Sequence, residues 1–380
     1  MKAIINGKFI LPQEIVTGQT LLFDDKIQHL ALLDREALPA GTEIIDARGR
    51  YVAPGFINIH IHGCGGADAM DGTPDSLATM SRLLPRTGVT RFLPTTMTYD
   101  MAALERALGN IRNGIGREPG AKILGANLEG PFISEKYKGA QKACNIQKAN
   151  SRLIDEFPEL IRYITLAPET LEDMDFIHYC RKEHIIVSLG HSDATYEQAE
   201  KAVEAGASHI THLYNAMSPL HHRRPGLVGA ALTLPVTAEL IADGIHVHPA
   251  AMRLVWLAKG PDKLILITDS MRACLMPEGI SELGGQTVYV KDGRATLKDG
   301  TIAGSIVTMD RELAIFRRAT GIALPQLINL VTANPAKELG LYDKLGSLEE
   351  GKVADVVVFD EAMNMLDVWV EGEEVYKYKE

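Results

Sequence analysis

Between residues 56 and 270 the chain alternates short apolar runs with longer stretches of helical periodicity. The runs are FINIHIH (56–62), RFLPTT (91–96), ILGANLEG (123–130), ITLAPE (164–169), IIVSLGHS (185–192), SHITHLY (208–214), AELIADGIHV (238–247) and KLILITDS (263–270). Stretches such as PDSLATMSRLL, LEDMDFIHYCRKEH, TYEQAEKAVEAG and PAAMRLVWLAKG lie between them. Strands separated by helices pair in parallel, because each helix carries the chain back to the starting edge. Eight such units over roughly 290 residues predict a (β/α)8 barrel. A doubly wound open sheet is the competing architecture, weakened because no GxGxxG turn follows an early strand.

The two ends have a different texture. AIINGKFI, TLLFDDKIQHLAL and TEIIDARGRYV near the start, and VADVVVFD and LDVWVEGEEVYKY near the end, are β-like runs broken by turn residues. They predict one small β-sandwich domain assembled from residues 1–52 and 346–380, with the barrel at 53–345. The 380 residues carry 39 Lys+Arg against 49 Asp+Glu, so 39 − 49 = −10. That balance argues against non-specific binding to nucleic acid or to an anionic membrane, and an anionic substrate would need positive charge supplied locally. The four Cys (64, 144, 180 and 274) form no CxxC pair, which points to a reducing, cytoplasmic setting. The most apolar stretch, Ala230 to Ala242, is interrupted by Pro235 and Glu239 and is too short to span a bilayer.

Residues suited to metal ligation recur where the predicted strands end, the face on which barrels carry their active sites. His60 and His62 sit at i and i+2 of a strand, so both imidazoles point one way. Glu129 ends the third strand, His191 the fifth, His212 the sixth, His246 the seventh and Asp269 the eighth. Each alone has an ordinary structural explanation, such as a rim salt bridge for Glu129 or a helix cap for Asp269. Six together match a two-metal hydrolytic site, with His60, His62 and Asp269 on one ion, His191 and His212 on the other, and Glu129 between them. His209, three positions before His212, is expected to face away and pack outside the barrel. His221, His222 and Arg224 read as a solvated loop, and Cys64 as a buried thiol. Ile306 and Met309 either line a small pocket or simply pack.

These residues resemble the amidohydrolase superfamily, and within it the N-acetylglucosamine-6-phosphate deacetylases, over essentially the whole chain. The carriers are PGFINIHIHGCGG (54–66), LEGPFI (128–133), GHSDA (190–194), THLYNAM (211–217), RPG (224–226), ADGIHVH (242–248), ITDSM (267–271) and AGS (303–305). The resemblance implies a (β/α)8 TIM-type barrel with a small β-sandwich domain. It implies two divalent transition-metal ions (Zn, Fe, Mn or Co) held by His60, His62, Glu129, His191, His212 and Asp269. It makes Asp269 the general base and acid, a metal-activated hydroxide the nucleophile, and a phosphorylated amino sugar the substrate. Asn215 and Ala216 would hold the sugar phosphate through backbone amides and Arg223 through its guanidinium. His246 would reach the phosphate of a neighbouring subunit in a homodimer. Gln141 stands where some members carry His beside the acetyl carbonyl, and an amide there can still donate a hydrogen bond. The competing readings are a deacetylase for the galactosamine epimer, an amidohydrolase of cyclic amides, and a barrel that binds without catalysing.

Overall fold

The computed structural model describes residues 1–32 and 38–378. Its centre is a ring of eight parallel strands: β1 (Phe56–Ile61), β2 (Val89–Pro94), β3 (Ala126–Glu129), β4 (Ile161–Leu166), β5 (Ile186–Leu189), β6 (His209–Ile210), β7 (Thr237–Leu240) and β8 (Leu264–Leu266). Neighbours β1–β2 and β3 through β8 pair in parallel, and a Thr95–Asn127 bridge joins β2 to β3. The ring closes where Asp269 N–H donates to His60 O at 3.0 Å and His62 N–H donates to Ser270 O at 2.9 Å. A cluster containing Ile57, Leu93, Tyr163, Ile241 and Ile265 fills the ring from strands all round it.

Each of the eight expected strands is present, but several are shorter than their apolar runs. β6 spans two residues, and β7 ends at Leu240. His246 therefore sits in a loop past β7 rather than at its end. An Asp243–Gly244 turn makes that loop: the Asp243 carboxylate accepts from the Ile245 and His246 amides, each at 2.8 Å.

The outer helices form where the periodicity places them. Thr73 caps Pro74–Leu83 through the Ser76 amide, and Thr195 with Gln198 builds a capping box at Tyr196–Ala205. In Met101–Gly114, Leu104, Leu108 and Ile111 follow i, i+4, i+7 spacing and are fully buried against the barrel.

The chain ends form two sheets. One orders Ile27–Ala31, Thr20–Phe23, Lys2–Ile5 and Glu43–Asp46. The other interleaves both termini, since Val356–Phe359 pairs antiparallel with Tyr51–Pro54. Phe9, Phe23, Val52, Val356 and Trp369 share a core between them. Arg91 on β2 clamps this unit to the barrel through Asp355, with Nε–Oδ2 at 2.6 Å and Nη2–Oδ1 at 3.0 Å.

A third, antiparallel sheet (Gly279–Leu283, Gln286–Lys291, Arg294–Thr296) was not among the expected strands. It follows β8 and reaches over the barrel mouth, where Gln286 Nε2 donates to Ala140 O. Among the described residues no helix is long and apolar enough to cross a membrane.

Candidate metal centre and active site

The strand ends bring all six expected side chains together. His60, His62 and Asp269 form one group and Glu129, His191 and His212 a second, the ligand atoms of each lying within 4.8 Å of one another. None of the six is more than 8% exposed. Glu129 stands between the groups. Its Oε1 is 3.0 Å from His191 Nε2 and 3.1 Å from His212 Nε2, and its Oε2 is 3.4 Å from His62 Nε2. Asp269 Oδ1 is 3.1 Å from His62 Nε2 and 3.5 Å from His60 Nε2.

The outer nitrogens decide what the inner ones offer. A carbonyl oxygen only accepts, so His62 Nδ1 donates to Thr95 O (3.1 Å) and His191 Nδ1 to Tyr137 O (2.9 Å). His60 Nδ1 donates to the Glu239 carboxylate at 2.9 Å. In the neutral ring each of these leaves an Nε2 lone pair aimed at the cluster. His60 Nε2 is buried without a hydrogen-bond partner, and His191 Nε2 faces His212 Nε2 at 3.1 Å. Lone pairs and carboxylate oxygens converging in a water-poor pocket repel one another unless a cation sits among them. Imidazole and carboxylate donors without thiolate suit a divalent transition metal.

The carboxylates are held ionised. Burial opposes the charge of Glu129, yet in the absence of a metal a cationic His191 ring, with hydrogen bonds from His191, His212 and His62, holds it well below the usual carboxylate range. The same contest, with His60 and His62 prevailing over burial, lowers Asp269.

The backbone behind the ligands is unusual. His191 (φ 47°), His212 (φ 30°) and Asp269 (φ 46°) all adopt left-handed conformations just past β5, β6 and β8. Each costs on the order of 1–3 kcal/mol and is retained only where surrounding contacts enforce it. This turn also corrects the reading of His209. Strand alternation stops at Ile210, so counting from 209 to 212 does not give opposite faces. His209 is fully buried, with Nδ1 3.1 Å from Glu338 Oε1 and Nε2 3.3 Å from Glu239 Oε1.

A cavity of ≈ 290 Å³ opens on the cluster. Asp269, Gln141, Asn215, Ala216 and His246 line it. Gln141 is oriented by the Thr98 amide, which donates to Oε1 at 2.7 Å, so its NH2 points to Glu129 Oε2 and His191 Nε2, each at 3.2 Å. His246 lines the pocket of its own chain, with Nδ1 2.6 Å from Asp243 Oδ2. Arg223 is not brought in; it is exposed, with Nη1 2.6 Å from His222 Nε2. Ile306 and Met309 are not in the lining either. Met309 is fully buried core, and the apolar wall comes from Met97, Leu283 and Ile302. Sequence reasoning passed over Glu239, although a lone acid in an apolar strand was its visible signal.

A parallel barrel with histidines and acids at its strand ends is the signature of metal-dependent hydrolases, and the comparisons agree. The chain belongs to the amidohydrolase family, whose sequence profile matches residues 51–375. More particularly, it is 44% identical over 353 residues to the N-acetylglucosamine-6-phosphate deacetylase of Bacillus subtilis (strain 168), covering 90% of this chain and 89% of that protein. The crystal structure of the same enzyme from Pasteurella multocida superposes with a TM-score of 0.92 at 33% identity, covering 98% of this chain and 99% of that one. A mutant of the Mycobacterium smegmatis enzyme in complex with N-acetyl-D-glucosamine-6-phosphate gives 0.92 at 29% identity, covering 99% of both chains.

Proposed function

We propose that the protein hydrolyses the N-acetyl group of N-acetylglucosamine 6-phosphate, giving glucosamine 6-phosphate and acetate. One observation carries this reading: six ligand-type side chains from five strand ends meet beneath a single pocket, which all but His60 line. The relatives' shared activity, and the substrate held by the Mycobacterium smegmatis neighbour, support the substrate assignment.

His60, His62 and Asp269 would hold one divalent ion and Glu129, His191 and His212 the other, Zn, Fe, Mn or Co all suiting such donors. When bound, such ions lower the pKa of water towards ~7 and polarise a carbonyl oxygen. The chain's own residues do the rest. Asp269 reaches the pocket and, ionised, accepts the proton of the attacking water; it returns that proton to the amine as the C–N bond breaks. Gln141 lines the pocket with its Oε1 held by the Thr98 amide, and its NH2, now on Glu129 Oε2 and His191 Nε2, would be the donor to the acetyl oxygen. The Ala216 amide and His246 offer donors a phosphate needs, and the Asn215 amide, now on His212 O at 3.0 Å, would join them on leaving that turn bond; together they supply local positive character that a −10 chain otherwise lacks.

Arg223 lies outside its own pocket, so we place it against the phosphate of a second copy in a homodimer. With His246 already lining its own site, the cross-subunit contact falls to Arg223 rather than His246. We divide the chain into a barrel at 53–345 and a β-sandwich from 1–52 and 346–380. The four free thiols favour a cytoplasmic setting. The test is acetate release from N-acetylglucosamine 6-phosphate with and without a chelator. Chelator-sensitive release is expected, and no release from metal-loaded protein overturns the assignment.

A further inference from the structure

We propose that Glu239 is a positioning residue that ties the two ligand groups together. Its one carboxylate orients the His60 ring and holds the His212 backbone, while His209 and Glu338 brace it from behind. This inference rests on the metal reading above.

Glu239 is 1% exposed and lies outside the pocket lining. A carboxylate buried this way is costly unless its environment is built around it. The environment is specific. Oε2 accepts from His60 Nδ1 at 2.9 Å and from the His212 amide at 3.2 Å. His60 belongs to one ligand group and His212 to the other. The Glu239 carbonyl adds a bond from the Leu213 amide at 2.9 Å. Oε1 faces His209 Nε2 at 3.3 Å, an ion-pair distance without hydrogen-bond alignment. His209 Nδ1 meets Glu338 Oε1 at 3.1 Å, Glu338 Oε2 accepts from Thr237 Oγ1 at 2.9 Å, and the Tyr163 ring lies edge-on to His209 at 5.1 Å. Burial would lower the His209 pKa, but Glu239 and Glu338 outweigh it and raise it to about 9. A cation thus backs Glu239 at neutral pH.

Two consequences follow from this arrangement. With Glu239 accepting at Nδ1, the His60 lone pair can reside only on Nε2, the atom facing the cluster. And His212, at φ 30°, has its strained backbone pinned by the same oxygen. Loss of one acceptor should therefore loosen a ligand in each group, whereas loss of a single histidine ligand removes a donor from one.

The test uses the full chain, stripped of metal and titrated with Zn²⁺, with bound metal read by elemental analysis and fold by circular dichroism. Wild type is expected to take two ions. Glu239→Ala should weaken both by about 10–100-fold, the range for outer partners of metal ligands. Glu239→Gln keeps an acceptor oxygen and should recover much of the loss. The kcat should fall with little change in KM, because no pocket wall is altered. Glu239→Ala binding two ions as tightly as wild type overturns the proposal, as does weakening confined to one ion. If the alanine variant does not fold, Glu239→Gln and His209→Gln carry the test, and wild-type affinity for both ions in both variants overturns it. Wild-type protein that takes up no metal would remove the metal reading itself, and this inference with it.

Discussion

Asp269→Asn separates proton transfer from ligation. The Asp269 backbone is held independently of its side chain, its N–H donating to His60 O at 3.0 Å and its O accepting from Ser305 N at 2.8 Å. Asparagine is isosteric and keeps a ligating oxygen near the position now 3.1 Å from His62 Nε2. What it loses is basicity: the amide cannot accept the proton of the attacking water or return it. General base catalysis contributes about 10²- to 10⁴-fold. At about 1.36 kcal/mol per decade, that is roughly 2.7–5.5 kcal/mol on the barrier. The variant also has one negative charge fewer near the ions, so its metal content must be measured alongside its rate. The assay is acetate release under saturating substrate, with elemental analysis of the same sample. Two bound ions and a kcat down by about 10²-fold or more are expected. Two bound ions and a rate within about tenfold of wild type would remove Asp269 from the base role.

Three further outcomes are expected. Arg223→Ala should weaken N-acetylglucosamine 6-phosphate far more than the unphosphorylated sugar. Mixed with Asp269→Asn subunits and allowed to exchange, it should regain activity, because a hybrid dimer has one complete site; equal losses on both substrates, or no recovery on mixing, count against the assignment. Arg91→Met strands the buried Asp355 carboxylate, which is 5% exposed, and should cost about 3–5 kcal/mol of stability in thermal or urea unfolding; a loss under about 1 kcal/mol would mean that solvent reaches Asp355. The last concerns pH. The His209 pKa is raised from 6.5 to about 9 in the folded state, so its stabilisation is fully present below pH 6.5 and fades as pH rises through 9. At 1.36 kcal/mol per pK unit that is on the order of 3 kcal/mol. The stability gap between metal-free wild type and His209→Gln should shrink across that window, and a gap constant from pH 6 to 9 would contradict it.

The His60–Ile61–His62 pair was readable because strand alternation is local: two positions along one strand share a face whatever the rest of the chain does. Glu129 was readable as an acid closing an apolar run. The same logic failed at His209, because β6 ends after two residues and alternation ends with it. Arg223 is a different case. The motif is legible, but its loop leaves the guanidinium outside the pocket, and no residue pattern specifies that distance. Glu239 was visible only as a polar interruption, since its partners come from β1, from the loop after β6 and from a helix near the C-terminus.

The order of apolar runs and helices by itself determined an eight-unit parallel α/β architecture and favoured a barrel over a doubly wound open sheet. It also determined which end of each strand carries chemistry, because hydrophobic periodicity and the handed return of each helix are properties of short segments. Only the tertiary structure decided the geometry of the site. The left-handed turns at His191, His212 and Asp269, the tautomers set by Thr95, Tyr137 and Glu239, and the lock of Thr98 on Gln141 all depend on contacts between segments far apart in the chain. Such contacts exist only once the ring has closed and the strain they impose is met by packing around them.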